Sequence, residues 1–114
     1  MRLLPRHSVT TLFVLFPDPW PKKRHHKRRI VQQDFLALAA RVLKPGAMLH
    51  MATDWENYAD HMLELTDGCR RFRNLASPGH FSERPAERPE TKFERRGRRL
   101  GHQVRDLLYR RTVD

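Results

Sequence analysis

Residues 11–29 read TLFVLFPDPWPKKRHHKRR, and they join an apolar run, a proline turn and a dense group of cations. The apolar run, residues 11–16, is continuous and rich in residues that favour β-structure. A short run of this kind, closed by a proline turn, predicts a strand that is buried on both faces, as in a parallel sheet. This strand is the starting point of the predicted sheet.

Beyond the cations, a helical pattern, a second apolar run and another helical pattern follow in order. Residues 30–43 place apolar side chains at helical spacing, and Lys44-Pro45-Gly46 ends the pattern with a cation, a helix breaker and a glycine. Residues 47–53, AMLHMAT, predict a second strand, and residues 55–65 predict a second helix. An order of strand, helix, strand and helix predicts parallel strands that right-handed crossovers connect.

The last third of the chain predicts a loop, a short helix and an antiparallel pair. Residues 77–89 are rich in proline, glycine, serine and charge, which is typical of a loop. Residues 91–100 form a basic helical pattern that Gly101 would end. Residues 103–112 partly alternate and predict an antiparallel edge strand, with residues 70–75 as its partner. The predicted fold class is therefore α/β, with parallel strands and helices followed by an antiparallel edge pair.

The charge balance favours a polyanionic partner. The chain has 114 residues, which allows one small domain, and its 23 basic and 13 acidic residues give a formal net charge of +10. Nucleic acid is the first class of partner that such an excess predicts, and an anionic membrane surface is the second. No apolar run approaches the roughly 20 residues that span a bilayer, so we expect no membrane-spanning segment.

Cysteine and histidine usage argues against a disulfide or a metal site. Cys69 is the only cysteine, which excludes an internal disulfide and a cysteine-rich zinc site. His25 and His26 lie within a cationic run, where a metal ion would be repelled, and no HExxH or Cys/His ligand spacing occurs. The first ten residues carry two arginines and no signal-type apolar segment. We therefore expect a cytoplasmic protein without a metal.

Asp18 lies between two prolines, directly past the predicted first strand. Pro17 and Pro19 have a fixed φ and bias Phe16 and Asp18 toward extended conformations, so the carboxylate should stand on a stiff turn. Asp54 follows the second strand in the same way. In open α/β sheets this carboxyl edge binds ligands, so the two aspartates are candidate site residues. The alternatives are a turn-capping role for Asp18 and a helix N-cap role for Asp54.

Residues 22–29, KKRHHKRR, hold six Lys/Arg and two His in eight consecutive positions. Such a cluster at the ligand edge of a sheet predicts contacts with the phosphates of a nucleic acid, and these contacts should weaken steeply with salt. The alternative is a solvated basic face. Trp20 and Trp55, which lie near the two aspartates in sequence, could stack an unpaired base or simply pack at the rim.

Three motifs together are similar to one enzyme family. They are FPDPWPKKRHHKRR at residues 16–29, MATDWE at residues 51–56, and RPETKFERRG at residues 88–97 followed by LGH at residues 100–102. In this order they resemble the bacterial tRNA (guanine-N7-)-methyltransferase family, a class I S-adenosylmethionine-dependent family. The resemblance implies a Rossmann-like sheet, S-adenosylmethionine as methyl donor, no metal, and methyl transfer to N7 of a guanine in tRNA, at guanine 46 of the variable loop.

The resemblance also implies roles for individual residues. It places Asp18 in the active site beside the methyl donor, as the catalytic and cofactor-contacting residue. The implied substrate contacts are Lys22, Asp54, Thr91, Lys92, Phe93 and Glu94. The implied RNA contacts are Arg24, His25, His26, Lys27, Arg28 and Arg29. Without the resemblance, Thr91 and Glu94 would predict only a capping box at a helix start.

Part of what this family carries has no counterpart in the sequence. The five glycines form no G-x-G pattern, whereas a donor-binding domain of this fold begins with a strand, a glycine-rich turn and an acidic residue that holds the ribose. We therefore expect residues 1–114 to be the carboxyl-terminal part of a single methyltransferase domain. An upstream segment or a separate chain would supply the glycine-rich half.

Two other classes of function stay open on the sequence. One is a non-catalytic RNA-binding module that kept the phosphate-binding cations and lost the site for the methyl donor. The other is a basic protein that binds DNA or a membrane surface, for which a carboxylate between two prolines has no use. An Asp18→Ala change that leaves binding and activity untouched would favour this second class.

Overall fold

The computed structural model describes residues 5–85, 88, 90, 92–99 and 103–112. The strands are β1 (Val9–Leu15), β2 (Leu43–Thr53), β3 (Phe72–Asn74) and β4 (Arg105–Arg111), and the α-helices are α1 (Gln33–Val42), α2 (Glu56–Asp67) and α3 (Lys92–Arg99). A 3-10 helix, Lys23–Arg28, precedes α1. The predicted order of strand, helix, strand and helix is confirmed, and the predicted basic helix is α3. Its predicted stop, Gly101, lies outside the described residues.

The four strands form one sheet in the order β1-β2-β4-β3. β1 and β2 are parallel, and β4 is antiparallel to both of its neighbours. This arrangement confirms the α/β class and the predicted partner of the last strand. The prediction that β4 itself forms the edge is wrong, because β4 lies between β2 and the short β3. Its Leu107 and Tyr109 are almost completely buried, which suits an interior strand.

α1 and α2 pack on the same face of the sheet. Side chains along each strand alternate between the two faces, and the inward-facing Leu49, Met51 and Leu107 share one apolar cluster with Leu36 of α1 and Met62 of α2. Each large apolar side chain that is fully buried there contributes roughly 1.5–3 kcal/mol relative to exposure. This cluster holds the sheet and the two helices together beneath the candidate site.

The opposite face of β1 is open in the part of the chain that the structure describes. Leu12 and Val14 pack against the core, whereas Phe13 and Leu15 are 58% and 41% exposed. The prediction that β1 is buried on both faces is therefore wrong for this chain. Alternation along the strand sends the two pairs of side chains to opposite faces, and α1 and α2 cover only one of them.

β2 starts earlier than the sequence pattern predicts. α1 runs directly into β2, so Lys44-Pro45-Gly46 lies within the strand instead of ahead of it. Gly46 has a φ of 82°, which glycine adopts without a steric penalty. The pairing with β1 shifts across this segment, from Val9 with Leu43 to Thr11 with Met48. The breaker residues therefore form an irregularity inside the strand, and regular pairing resumes beyond it.

The two helices that pack on the sheet, α1 and α2, are short. α1 has 10 residues and α2 has 12. Over the described residues, no helix has both the length and the apolar character that crossing a bilayer requires.

Candidate active site

The carboxyl ends of β1 and β2 lie side by side, and both candidate aspartates follow them. Leu15 pairs with Ala52, and the N–H of Phe16 still donates to the carbonyl of Ala52 at 2.8 Å. Asp18 follows two residues later with an exposed side chain, and the half-buried Asp54 comes directly after β2. The two aspartates are therefore at the same edge of the sheet, as their positions in the sequence predict.

The turn at residues 16–20 has an unusual backbone at both ends. Phe16 has a φ of 52° and Trp20 a φ of 43°, in the left-handed region that residues other than glycine rarely adopt. The prediction of an extended Phe16 is wrong, because the chain makes its last ladder hydrogen bond there and turns away from the sheet at once. Such backbone strain costs on the order of 1–3 kcal/mol per residue and persists where surrounding contacts hold it.

The Asp18 carboxylate is exposed and accepts no hydrogen bond from the described residues. A turn-capping aspartate would bond a nearby backbone N–H, so the geometry gives that alternative no support. α2 begins at Glu56 with Trp55 in the cap position, so Asp54 lies one residue ahead of the ordinary N-cap. Both aspartates lie where a ligand above the sheet edge can reach them.

Residues 22–28 form a cationic ridge beside this turn. The carbonyl of Lys22 accepts the N–H of His25 at 2.8 Å as the 3-10 helix begins. Arg28 lies over the ring of Trp20, with 5.2 Å from Cζ to the ring centroid, and His25 meets the same ring edge-on at 5.8 Å. The exposed members of the ridge are Lys22, Lys23, Arg24, Lys27 and Arg28, and the two histidines are half-buried.

Arg29, the last cation of the run, is placed differently from the others because it is only 4% exposed. Its Nε donates to the carbonyl oxygen of Pro19 at 2.6 Å, and its Nη2 donates to Oδ1 of Asn57 at 3.0 Å. Its Cζ lies 4.5 Å from the ring centroid of Tyr58. Burial lowers the pKa of Arg29 and raises the pKa of Tyr58. The guanidinium is thus occupied inside the fold, away from the surface where the resemblance implies a phosphate contact.

The third motif reaches the site through α3. Lys92 is exposed at the first position of this helix, and Phe93 is its second residue. Glu94 is buried and forms an ion pair with Arg88. Thr91, which the resemblance places with them, lies outside the described residues.

A buried ionic network connects this segment to the sheet. Arg88 donates from Nε to Oδ2 of Asp106 at 2.7 Å and from Nη2 to Oδ1 at 2.8 Å. The same guanidinium binds the carboxylate of Glu94 with Nη1 and, at 2.9 Å, with Nη2. Nε2 of His50 lies 2.7 Å from Oδ2 of Asp106, and all four residues are buried. Because Asp106 pairs with Ala52 near the end of β2, the network lies at the same edge of the sheet as Asp18 and Asp54.

The network also contacts the turn that carries Asp18, since Cζ of Arg88 lies 5.8 Å from the ring centroid of Phe16. Hydrogen bonds to Glu94 and then to Asp106 raise the pKa of Arg88. Burial by itself would raise the pKa of Asp106, but hydrogen bonds from His50 and Arg88 outweigh it, and the pKa lies below its usual value. Arg88 is therefore a buried cation held between two carboxylates, and it connects the third motif with Phe16 of the first motif and with β4.

Sequence patterns assign no role to Arg88, His50 or Asp106. The available signals were weak: His50 interrupts the apolar run AMLHMAT, and Asp106 directly precedes two leucines in the last strand. The partners are far apart in the chain, because Arg88 precedes Asp106 by 18 positions and His50 precedes it by 56. Only the fold brings them together.

The residues at this edge fit one wall of a site for the methyl donor that the resemblance implies. S-adenosylmethionine carries an ammonium and a sulfonium group, and the exposed Asp18 carboxylate suits either charge. Four glycines lie among the described residues, Gly46 in β2, Gly68 after α2, Gly79 in a loop and Gly97 within α3, and none of them forms a glycine-rich turn after a strand at this edge. Among the described residues, no group of three or more His, Cys, Asp or Glu is arranged to hold a metal ion.

Comparison with known proteins gives the chain a family. A family model described as "Putative methyltransferase" matches residues 1–107. Curated relatives named tRNA (guanine-N(7)-)-methyltransferase include one from Alcanivorax borkumensis, 59% identical over 110 residues, and one from Halorhodospira halophila, 56% identical over 111 residues. These alignments cover 96% and 97% of this chain but 46% and 48% of the relatives. The chain therefore spans about half the length of the curated relatives it matches.

Among solved structures, a SAM-dependent O-methyltransferase from Thermotoga maritima aligns with 94% of this chain and 35% of that chain, at a TM-score of 0.48 and 14% sequence identity. The family model and the curated relatives rest on much closer similarity, and both extend over nearly all of the sequence. The chain therefore belongs to the methyltransferase family that this model describes, and it is similar to the curated tRNA (guanine-N(7)-)-methyltransferases over about half of their length.

Proposed function

We propose that this chain forms the tRNA-facing part of an enzyme that transfers a methyl group from S-adenosylmethionine to N7 of a guanine in tRNA. The observation that carries the proposal is the exposed Asp18 carboxylate, which stands on a strained turn at the carboxyl edge of the parallel strands, beside the cationic ridge. The names of the curated relatives support the same reaction and the same substrate.

The chemistry of guanine N7 suits such a site. N7 carries a lone pair, so its methylation needs no prior deprotonation, and catalysis depends on positioning and electrostatics. When bound, the donor supplies an electrophilic methyl group: the bond from N7 to carbon forms as the bond from carbon to sulfur breaks, and the positive charge moves to the guanine. In our proposal Asp18 accepts hydrogen bonds from N1–H and the amino group of the base, or contacts the donor, and favours that charge.

The remaining proposed contacts come from the other motif residues. Lys22, Asp54 and Lys92 contact the substrate, and Thr91, Phe93 and Glu94 belong to the same substrate segment. The exposed cations of the ridge hold phosphates, which positions the RNA without reading its sequence. Guanine 46 is the proposed target, and the cytoplasm, where tRNA is modified, is the proposed location.

The proposal includes a second half of the domain. The relatives are about twice as long as this chain, and the open face of β1 exposes Phe13 and Leu15. We propose that the glycine-rich half, supplied by an upstream segment or by a separate chain, pairs along β1 and completes the donor site. Residues 1–114 are then the carboxyl-terminal part of one methyltransferase domain.

A non-catalytic RNA-binding module is the second candidate. The lack of a G-x-G pattern in the sequence favours it, because a chain without that turn has no usual means of holding the donor. Measurable tRNA affinity without S-adenosylmethionine binding in the completed protein would support this candidate.

The deciding experiment measures methyl transfer from labelled S-adenosylmethionine to unmodified tRNA. It compares the chain alone with the chain joined to the amino-terminal half of the Alcanivorax borkumensis relative. We expect activity only in the joined protein. Activity in the chain alone would show that the glycine-rich half is dispensable, and a folded but inactive joined protein would favour the RNA-binding module.

A further inference from the structure

One buried arginine connects the turn that carries Asp18 with the first turn of α2, which follows Asp54. Arg29 binds the carbonyl of Pro19, the residue after Asp18, and the side chain of Asn57, three residues after Asp54. We propose that Arg29 is a positioning residue that sets the separation between the Asp18 turn and the start of α2, which follows Asp54, and that it does not contact RNA phosphate. This inference rests on the proposed function for its catalytic consequence.

The exposure of Arg29 separates it from the cationic ridge. Its residue is 4% exposed, whereas the preceding Lys27 and Arg28 are exposed. Two of its nitrogens are engaged by Pro19 and Asn57, and the Tyr58 ring lies against the face of the guanidinium. A phosphate would have to displace these contacts to bind the guanidinium.

The contacts of Arg29 with Pro19 and Asn57, here called the Arg29 clamp, are supported by a buried tyrosine and by a backbone hydrogen bond. Tyr58 is completely buried, and its hydroxyl accepts the N–H of Val31 at 3.1 Å. The backbone N–H of Arg29 donates to the carbonyl of His26 at 3.1 Å, which ends the 3-10 helix. The backbone of Arg29 therefore ends the cationic ridge, and its side chain binds both the Asp18 turn and the first turn of α2.

Only arginine supplies this geometry. The planar guanidinium presents Nε and Nη2 at fixed directions, so one side chain can bond one acceptor on the Asp18 turn and one on α2 and still stack on a ring. A lysine at this position keeps the charge but has a single ammonium without the planar fork. This difference separates a positioning role from a phosphate contact.

The test measures kcat, the KM for tRNA and the salt dependence of tRNA binding for Arg29→Lys and Arg29→Gln in the joined protein. A misplaced Asp18 turn predicts that both variants lower kcat by about 10- to 100-fold and leave KM and the salt slope unchanged. A phosphate contact predicts instead that Arg29→Lys resembles the wild type and that Arg29→Gln lowers the slope by roughly 0.7–0.9. That second pattern would overturn the inference.

Arg111→Lys is the matched control for loss of a buried arginine. Arg111 is also 4% exposed, and its Nε donates to the carbonyl of Ala40 at 2.9 Å, at the opposite end of the sheet. We expect this variant to lower stability but to keep the kcat of the folded fraction. An equal loss of kcat in Arg111→Lys would show that the effect of Arg29→Lys is general destabilisation, and the inference would fail.

A double-mutant cycle with Asn57 tests whether Arg29 and Asn57 affect kcat through the same contact. Asn57→Ala removes the acceptor of the Nη2 hydrogen bond. We expect it to lower kcat less than Arg29→Lys does, and to add little when the two changes are combined. Independent, additive effects would contradict a shared positioning role.

A second readout does not depend on methyl transfer. In a Trp55→Phe background of the 114-residue chain, Trp20 is the only tryptophan, and it lies next to Pro19. We expect Arg29→Lys to increase quenching of Trp20 fluorescence by acrylamide, and Arg111→Lys to leave it unchanged. If the joined wild-type protein transfers no methyl group, the proposed function fails, but this comparison still decides whether Arg29 holds the turn. Unchanged quenching in Arg29→Lys would overturn the inference.

Discussion

Asp18 is held from both sides of its turn. On one side, the N–H of Phe16 bonds to Ala52 of β2, and on the other, the carbonyl of Pro19 bonds to Arg29. The carboxylate itself remains exposed. A charged group that is fixed through its backbone and left open to solvent is suited to binding a ligand, because its orientation is set before the ligand arrives.

Replacing this carboxylate should affect catalysis and leave folding intact. We expect Asp18→Asn in the joined protein to lower kcat by about 100-fold or more. Because the side chain is exposed, the free energy of unfolding should change by no more than about 0.5 kcal/mol. Asp60→Asn, an exposed aspartate on α2, is the control and should keep both values. Wild-type kcat in Asp18→Asn would refute the assignment.

At the scale of elements, a buried ionic network joins α3 to β4 and β2. Arg88 binds Glu94 of α3 and Asp106 of β4, and His50 of β2 binds Asp106 as well. Desolvation offsets much of the attraction in buried pairs of this kind, but removing one partner leaves a buried charge and is strongly destabilising. The network therefore fixes where the third motif lies relative to the sheet.

The network predicts a specific loss of stability in acid. The pKa of Asp106 is lower in the folded state than in the unfolded state. Its contribution is therefore present above the unfolded pKa of about 3.9 and is lost as pH falls through the lower folded-state pKa. We expect Asp106→Asn to cost about 3–5 kcal/mol at neutral pH, measured by urea unfolding.

Urea unfolding at pH 3 tests the direction of the pKa shift of Asp106. The difference in stability between wild type and Asp106→Asn should shrink in acid, because the wild-type carboxylate loses its advantage as it is protonated. Glu64→Gln, an exposed position on α2, should show no such difference at either pH. A gap between wild type and Asp106→Asn that grows in acid would contradict the direction of the pKa shift.

The cationic ridge is an element whose effect should depend on salt. We expect Arg24→Gln combined with Lys27→Gln to lower the slope of log affinity for tRNA against log salt by roughly 1.4–1.8, because two phosphate contacts are lost. Arg70→Gln combined with Arg73→Gln removes the same charge near β3, and both residues are exposed. An equal change of slope in this control pair would show that net charge, and not the ridge, binds the RNA.

At the scale of the whole molecule, the sheet has one covered face and one open strand. β1 is at the edge of the described sheet, and Phe13 and Leu15 are the exposed apolar side chains on it. An unpaired edge strand is a ready template for another strand. This surface lies beside the candidate site, so the proposed second half would pair and complete the donor site at the same place.

This arrangement predicts which substitutions should weaken association between this chain and a separately supplied amino-terminal half. We expect Phe13→Gln combined with Leu15→Gln to weaken association with a separately supplied amino-terminal half by tenfold or more, since each buried apolar side chain contributes roughly 1.5–3 kcal/mol. Ile30→Gln changes another exposed apolar residue, 54% exposed and outside the sheet, and should have no effect. Association measured by titration calorimetry that is equally strong in all three proteins would exclude β1 as the pairing surface.

Much of this architecture depends on local sequence patterns. The apolar runs, the helical spacings and the prolines around Asp18 predict elements over a few residues, and the structure has strands and helices where they predict them. Asp18 and Asp54 could be assigned to one edge of the sheet because carboxyl ends of parallel strands coincide there. The motifs predict the family because they are long and occur in order.

The tertiary structure alone decided which polar residues are buried and what they bind. The sequence places Arg29 in a run of eight similar residues, and nothing local distinguishes it from Arg28, because its partners are 10 and 28 positions away. The interior position of β4, the open face of β1 and the Arg88 network depend equally on contacts between distant segments. A run of charged residues in the sequence shows how much charge is present, but the burial and the partners of each charged side chain depend on the folded structure.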